Sequence, residues 1–205
     1  MSSQLLISGV IFGLSLASIY FLISIGLSLC FGLMRIISLD QLLYYTVGAY
    51  LAYSVSVASD NLWLGIATGV VVSAVLALLI ERVVFRRIYE RELTFSMITS
   101  FGLLLGGIGA VKGIWGVVPR PVRMPFDDQL NFFGTDIPVY RLLVIAVAVL
   151  VYIGIWAFLN RTIIGKAIRA GIEDMEHVEG LGINAARLFT ITFVLAGALS
   201  ALAGG

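Results

Sequence analysis

Long apolar runs separated by brief polar punctuation set the plan of this chain. Apolar stretches occupy about residues 5–33, 36–58, 62–80, 93–114, 140–160 and 188–205. An α-helix needs about 20 mostly apolar residues to cross the hydrocarbon of a bilayer, and each run is near that length. Arg35 follows the first run, and Asp60 and Asn61 follow the second. A charged block after the third holds Glu81, Arg82, Arg86, Arg87, Glu90, Arg91 and Glu92. A loop with Pro119, Pro121, Pro125 and Pro138 follows the fourth, and a polar segment, 161–187, follows the fifth. The pattern predicts a single all-α domain, a polytopic transmembrane helix bundle. About six segments would span, the last still incomplete at Gly205. The opening Met1-Ser2-Ser3-Gln4 lacks the Lys or Arg of a secretory leader, so the first run is read as a span.

Composition strengthens this reading. The chain is 60% apolar and 12% charged, whereas a soluble domain is about 25% charged. So few charges cannot cover a water-facing surface, but lipid asks for none. The net charge of +1 gives no reason to expect a nucleic-acid partner. Lys and Arg divide unevenly between alternate loops. Arg35, Arg82, Arg86, Arg87, Arg91, Arg161, Lys166, Arg169 and Arg187 fall on one side, and Lys112, Arg120, Arg123 and Arg141 on the other. The richer side should be cytoplasmic, which puts the N-terminus outside in a cell (plasma or inner) membrane. Trp63, Trp115 and Trp156 fall near predicted helix ends, as an interfacial belt requires.

Glycines recur four apart at Gly9/Gly13, Gly65/Gly69, Gly102/Gly106 and Gly109/Gly113. That spacing puts both on one helix face, where backbones can approach closely. The fourth run, with two such pairs, is expected to be the most tightly packed. Asp40 and Gln41 lie near one end of the second run. An acid inside lipid is costly and usually faces an interior or a partner. Two readings stand: a group lining the pathway, with Arg35 as ion partner, or an interfacial acid in the headgroup region beside Arg35. Tyr44 and Tyr45 fit a cavity or, more simply, an aromatic belt. Lys112 fits a snorkelling lysine. Cys30 fits an apolar packing residue, and His177 a solvated side chain. A lone histidine and a lone cysteine make no metal site. No phosphate-cradling G-x-x-x-x-G-K-[ST] run occurs, so no ATP hydrolysis, catalytic group or cofactor is expected of this chain.

The polar segment Gly165 to Leu188 is too polar to span. Glu173 and Asp174 suit the first turn of a short helix, where acids meet the positive end of the helix dipole. Gly180-Leu181-Gly182 would end it, and Asn184 would cap the next helix. The result is either a short helix that a soluble partner grips or an ordinary solvated loop.

Gly165-Lys166-Ala167-Ile168-Arg169-Ala170, Glu173-Asp174-x-Glu176, Leu181-Gly182-Ile183-Asn184 and Arg187 together resemble the cytoplasmic loop of the branched-chain amino acid ABC transporter permeases. The likeness extends to Gly13-Leu14-x-x-Ala17-Ser18-Ile19-Tyr20, Phe31-Gly32-Leu33-Met34-Arg35, Gly48-Ala49-Tyr50, Glu81-Arg82-Val83-x-Phe85-Arg86 and Ala196-Gly197-Ala198. It covers most of the chain in register. The resemblance implies a permease subunit of an importer for branched-chain amino acids or related small polar solutes. It implies cytoplasmic ATP-binding subunits, a second permease subunit and an extracytoplasmic solute-binding protein as partners. The coupling segment, 161–187, would dock on the ATPase through Glu173, Asp174, Glu176, Gly180, Gly182 and Asn184. Ser38, Asp40, Gln41 and Tyr44 are the candidate pathway residues. Here the sequence departs from the family, which usually has Asn-Phe-Ala-His-Gly where this chain has Ser38-Leu39-Asp40-Gln41-Leu42. The family also continues with further helices, so a fragment or one piece of a split permease is expected. The alternative reading is a membrane scaffold or assembly protein that does not transport.

Overall fold

The computed structural model describes residues 2–89, 91–116, 129–132 and 135–205. Eight α-helices follow in order: α1 (Ser2–Met34), α2 (Gln41–Ser59), α3 (Leu62–Val83), α4 (Leu93–Trp115), α5 (Val139–Arg161), α6 (Ile163–Glu173), α7 (Met175–Gly180) and α8 (Ala185–Gly204). A 3₁₀ turn, Phe85–Arg87, extends α3. Before α5, β1 (Gln129–Phe132) pairs antiparallel with β2 (Thr135–Pro138), Gln129 opposite Pro138. This hairpin is an addition to the all-helical plan, in a stretch the sequence marks only as a loop. Pro119, Pro121, Pro125, Arg120 and Arg123 lie outside the described residues.

Local chemistry sets the ends of the helices. Asp60 takes a left-handed conformation with φ 52° and stops α2. The Asn61 side chain then accepts from the backbone N–H of Trp63 at 3.0 Å and Leu64 at 3.3 Å, which starts α3. Arg35, with φ 51°, ends α1 in the same way. The chain turns through residues 36–40, so the second helix begins at Gln41, later than its apolar run suggests.

Five helices, α1, α3, α4, α5 and α8, have the length and hydropathy to cross a membrane. The shorter α2, with Tyr44, Tyr45, Thr46, Tyr50 and Tyr53, is the sixth long helix and sits inside the bundle. It packs most extensively against α3 and α8, and α8 also lies against α1. Outward-facing side chains such as Val10, Leu150 and Ile114 are large and apolar. This surface suits lipid and not water. The chain is a multi-pass membrane protein.

Glycine decides where the helices meet. A Cβ at Gly48 would stand 2.5 Å from the Ala201 carbonyl oxygen, and one at Gly69 would stand 2.8 Å from the Gly48 carbonyl oxygen. Gly197 faces Ala77, and Gly26 faces the Ala196 backbone. The α3 pair Gly65/Gly69 is therefore a true packing face. The expectation for α4 is corrected: a Cβ added at Gly102, Gly106, Gly109 or Gly113, or at Gly9 or Gly13, would meet no neighbouring element within 4 Å among the described residues, and on α4 it is Gly107 that packs, against Leu43. Four-residue spacing places small residues on one face without saying whether that face has a neighbour.

Replacing Gly48 by Ala should lower the unfolding midpoint of the purified chain in detergent, because the contact is backbone on backbone; overpacking of this kind costs about 1–3 kcal/mol. Gly102→Ala should hold or raise the midpoint, since alanine gains up to about 1 kcal/mol of helix propensity. Equal midpoints for both variants would refute this packing account.

Candidate functional site

Ser38, Asp40, Gln41 and Tyr44 come together in one buried knot at the α1–α2 turn, all at most 2% exposed. The Ser38 hydroxyl donates to Asp40 Oδ1. The Tyr44 hydroxyl donates to Asp40 Oδ2 at 2.7 Å. Gln41 Nε2 reaches Ser38 Oγ at 3.4 Å and Cys30 Sγ of α1 at 3.7 Å. Ser200 of α8 donates to Gln41 Oε1 at 2.7 Å. Ser100 of α4 adds a contact of 2.9 Å to the Ile37 carbonyl. Residues of four helices thus meet around the turn that carries Asp40. Asp40 precedes α2, where the helix dipole favours negative charge, and each of its two side-chain oxygens accepts from a neighbouring hydroxyl.

Asp40 is not paired with Arg35, which is exposed. Its side chain is buried within the bundle. Tyr44 is fully enclosed and touches Phe193 edge-on at 6.2 Å, so it is no belt residue.

A second buried acid escaped the sequence reading, which placed Glu81 in a charged block. Glu81 is fully buried. It accepts from the Tyr89 hydroxyl at 2.9 Å and from the Thr190 hydroxyl of α8 at 3.0 Å. Burial, with the Glu81 carboxylate beside it, pushes the Tyr89 phenol well above its ordinary pKa, so Tyr89 stays a donor. The signal was present: Gly65, Gly69, Ser73, Ala77 and Glu81 recur every fourth residue and form the buried face of α3.

The 161–187 segment contains two short helices, α6 and α7, between the end of α5 and the start of α8. Thr162 caps α6 by accepting from the Gly165 N–H at 3.0 Å. Gly165, Ala167, Ile168 and Gly171 form the buried side of α6, and Gly171 abuts Leu33 at the end of α1. Asp174 caps α7, with Oδ1 accepting from the His177 N–H at 3.1 Å and Oδ2 2.6 Å from His177 Nδ1. These hydrogen bonds hold its carboxyl below the usual carboxylate range. Glu173 is corrected from the start of the short helix to the last residue of α6. Glu176 lies in the first turn of α7 and Gly180 ends it. Gly182 has φ 82°, open to glycine and strained for other residues. Asn184 caps α8 by accepting from the Arg187 N–H at 3.0 Å. Val178 anchors α7 in the core, while Glu176, His177, Glu179 and Leu181 project outward, Leu181 80% exposed. Lys112 is exposed in the last turn of α4.

The structure is thus a bundle of long apolar helices with two buried, hydroxyl-held acids and one exposed helical segment, a polytopic membrane protein. The match to the family model described as branched-chain amino acid transport system / permease component extends over residues 9–205, and the chain belongs to that family. Among curated relatives, it is 28% identical to the high-affinity branched-chain amino acid transport system permease protein LivH of Escherichia coli K12, over 94% of this chain and 67% of that protein. The counterpart BraD of Pseudomonas aeruginosa is 27% identical over 93% of this chain and 67% of its own length. A probable branched-chain amino acid transport permease protein LivH of Methanocaldococcus jannaschii is 24% identical over 90% of this chain and 60% of its own length. No solved structure matches.

Asp40→Ala should leave the Ser38 and Tyr44 hydroxyls without their acceptor and destabilise the chain by about 1–3 kcal/mol, the penalty for orphaned buried polar groups. Asp40→Asn, which keeps an acceptor oxygen, should lose less. Thermal unfolding in detergent distinguishes the two, and equal losses would remove the hydrogen-bond account.

The Asp174 cap has a defined pH response. Its folded-state pKa lies below the unfolded value, so its contribution is present above the unfolded value and disappears as pH falls through the folded one. Amide exchange in residues 175–180, corrected for its intrinsic pH dependence, should quicken on acidification below about pH 4. Asp174→Ala should show that faster exchange already at neutral pH.

Proposed function

We propose that this chain is a permease subunit of an ABC importer for branched-chain amino acids or related small polar solutes. Two such subunits, alike or different, enclose the pathway in the cell (plasma or inner) membrane, with the N-terminus outside. Cytoplasmic ATP-binding subunits, which hydrolyse the ATP, grip the α6–α7 segment. An extracytoplasmic binding protein delivers the solute. Differential binding of the ATPase to two arrangements of the bundle would drive alternating access.

The observation that carries this reading is the build of α6–α7. Its inner side is locked into the bundle by Ile168 and Val178, while Glu176, Glu179 and Leu181 stand clear. A solvated loop needs neither a root nor an exposed leucine at its tip. Glu173, Asp174, Glu176, Gly180, Gly182 and Asn184 shape the docking segment: the acids supply charge and a cap, the glycines and Asn184 set its exit. Ser38, Asp40, Gln41 and Tyr44 border the pathway as a joint between α1, α2 and α8 that opens when those helices separate.

Gly182→Pro forces φ near −65° where the chain has φ 82°. This variant, and Glu173→Lys combined with Glu176→Lys, should weaken co-purification of the ATPase and lower leucine uptake in proteoliposomes. The expected loss is about tenfold or more, as for interface hot spots. Undiminished binding and uptake would leave a membrane scaffold without transport as the better reading.

A further inference from the structure

The mechanism above uses α6 and α7 but leaves Glu81 unexplained. Glu81 sits at the end of α3, fully buried, with no Lys, Arg or His paired to it among the described residues. A buried carboxylate without a cation is costly unless hydrogen bonds hold it. Its two partners come from different places in the chain. Tyr89 follows the 3₁₀ turn after α3, and Thr190 is in the second turn of α8. The Thr190 hydroxyl also lies 2.9 Å from the Ala186 carbonyl of its own helix. The charged acceptor is the stronger competitor for its proton.

Two aromatic contacts flank this bracket and join the same pair of segments. Tyr89 meets Phe189 at 5.0 Å, and Phe85 meets Phe193 at 4.9 Å. Phe85, Phe193, Leu188 and the α7 anchor Val178 belong to one buried cluster. Only residues 181–184 separate α7 from α8, and the Asn184 cap fixes that joint. The exit of α3 and the entry of α8 are therefore fastened directly behind the segment that protrudes.

We propose that Glu81 is a positioning residue: by holding Tyr89 and Thr190 at once, it makes the exit of α3 and the entry of α8 one mechanical unit, so that a displacement of α7 reaches both helices. The inference rests on the transport reading for its purpose, but the rigidity it asserts is measurable without it. Past the bracket, α3 and α8 both lie on α2 at Gly48, through Gly69 and Ala201. A push on α7 would so arrive at the helix that carries the Asp40 knot by two routes moving together.

The test uses the full chain in nanodiscs with spin labels at Arg87→Cys in the 3₁₀ turn and Glu179→Cys on α7. Cys30 is fully buried and stays unlabelled. Thr190→Val and Tyr89→Phe each delete one donor with little change of shape. Glu81→Gln keeps the shape and an acceptor oxygen, and Glu81→Ala removes both. The label-to-label distance distribution should be narrow in the parent and in Glu81→Gln, and broad in the other three. In the reconstituted transporter, the same three should hydrolyse ATP but import about tenfold less solute per ATP, the factor of one lost hydrogen bond to a charged group. An unaltered width, or unaltered uptake per ATP, overturns the proposal. If Glu81→Ala does not fold, Thr190→Val and Tyr89→Phe decide the matter. If the parent shows no ATP-driven uptake, the transport reading fails and the distance measurement alone decides whether the bracket holds.

Discussion

Where Gly48 faces Ala201 on one side and Gly69 on the other, α2 has no side chain to keep α8 and α3 away. In lipid the hydrophobic effect does not drive helices together, because the tails are as apolar as leucine. Association relies on close van der Waals packing and interhelical hydrogen bonds. The approach at Gly48 therefore has consequences beyond its own area. It sets the depth at which α8 lies on α2, and so puts Ser200 within 2.7 Å of Gln41 and Phe193 against Tyr44. A larger residue at Gly48 would push apart both the contact and the polar knot that depends on it.

The bundle treats its two buried acids alike. Asp40 and Glu81 are each held by two hydroxyls, one from a tyrosine and one from a serine or threonine. Neither has a cation among the described residues. An Arg or Lys partner would bring a second charge into a low-dielectric interior, with its own desolvation cost. Hydroxyls add no charge and are directional, so they specify geometry. Asp40 fixes the turn between α1 and α2, while Glu81 fixes α3 to α8. One joint lies within a local segment and the other spans more than a hundred residues of chain.

That difference explains what was legible in the sequence. Spans, their punctuation and the cap at Asn184 depend on neighbouring residues, and local patterns display them. A helix start near Asp174 was visible, but the division between α6 and α7 was not, because Glu173 and Asp174 are both acids and only the backbone separates their roles. The burial of Asp40 was not legible, since it depends on Ser200 and Tyr44 closing around it. For Glu81, composition misled: arginines crowd the residues that follow, yet the fourfold run from Gly65 to Ala77 carries the buried face through Glu81. Among the glycines, the α3 and α4 pairs are equivalent as strings. Only the position of α2 gives the α3 pair a neighbour.

The long helices also divide their labour. On α5 only Ala148 is buried, so this helix mainly faces outward and contacts α1. By contrast α8 buries nine residues and touches α1, α2 and α3. The protruding segment feeds α8, the helix with most neighbours. A connector leading into a lipid-facing helix such as α5 would move that helix through fluid with little effect on the rest. A connector leading into α8 cannot shift without disturbing packed backbones at Gly26, Gly48 and Gly197. Close-packed contacts of this kind deform little and tend to switch between discrete arrangements. The position of α8 in the core is therefore what would carry a displacement of the proposed docking helix into the rest of the bundle.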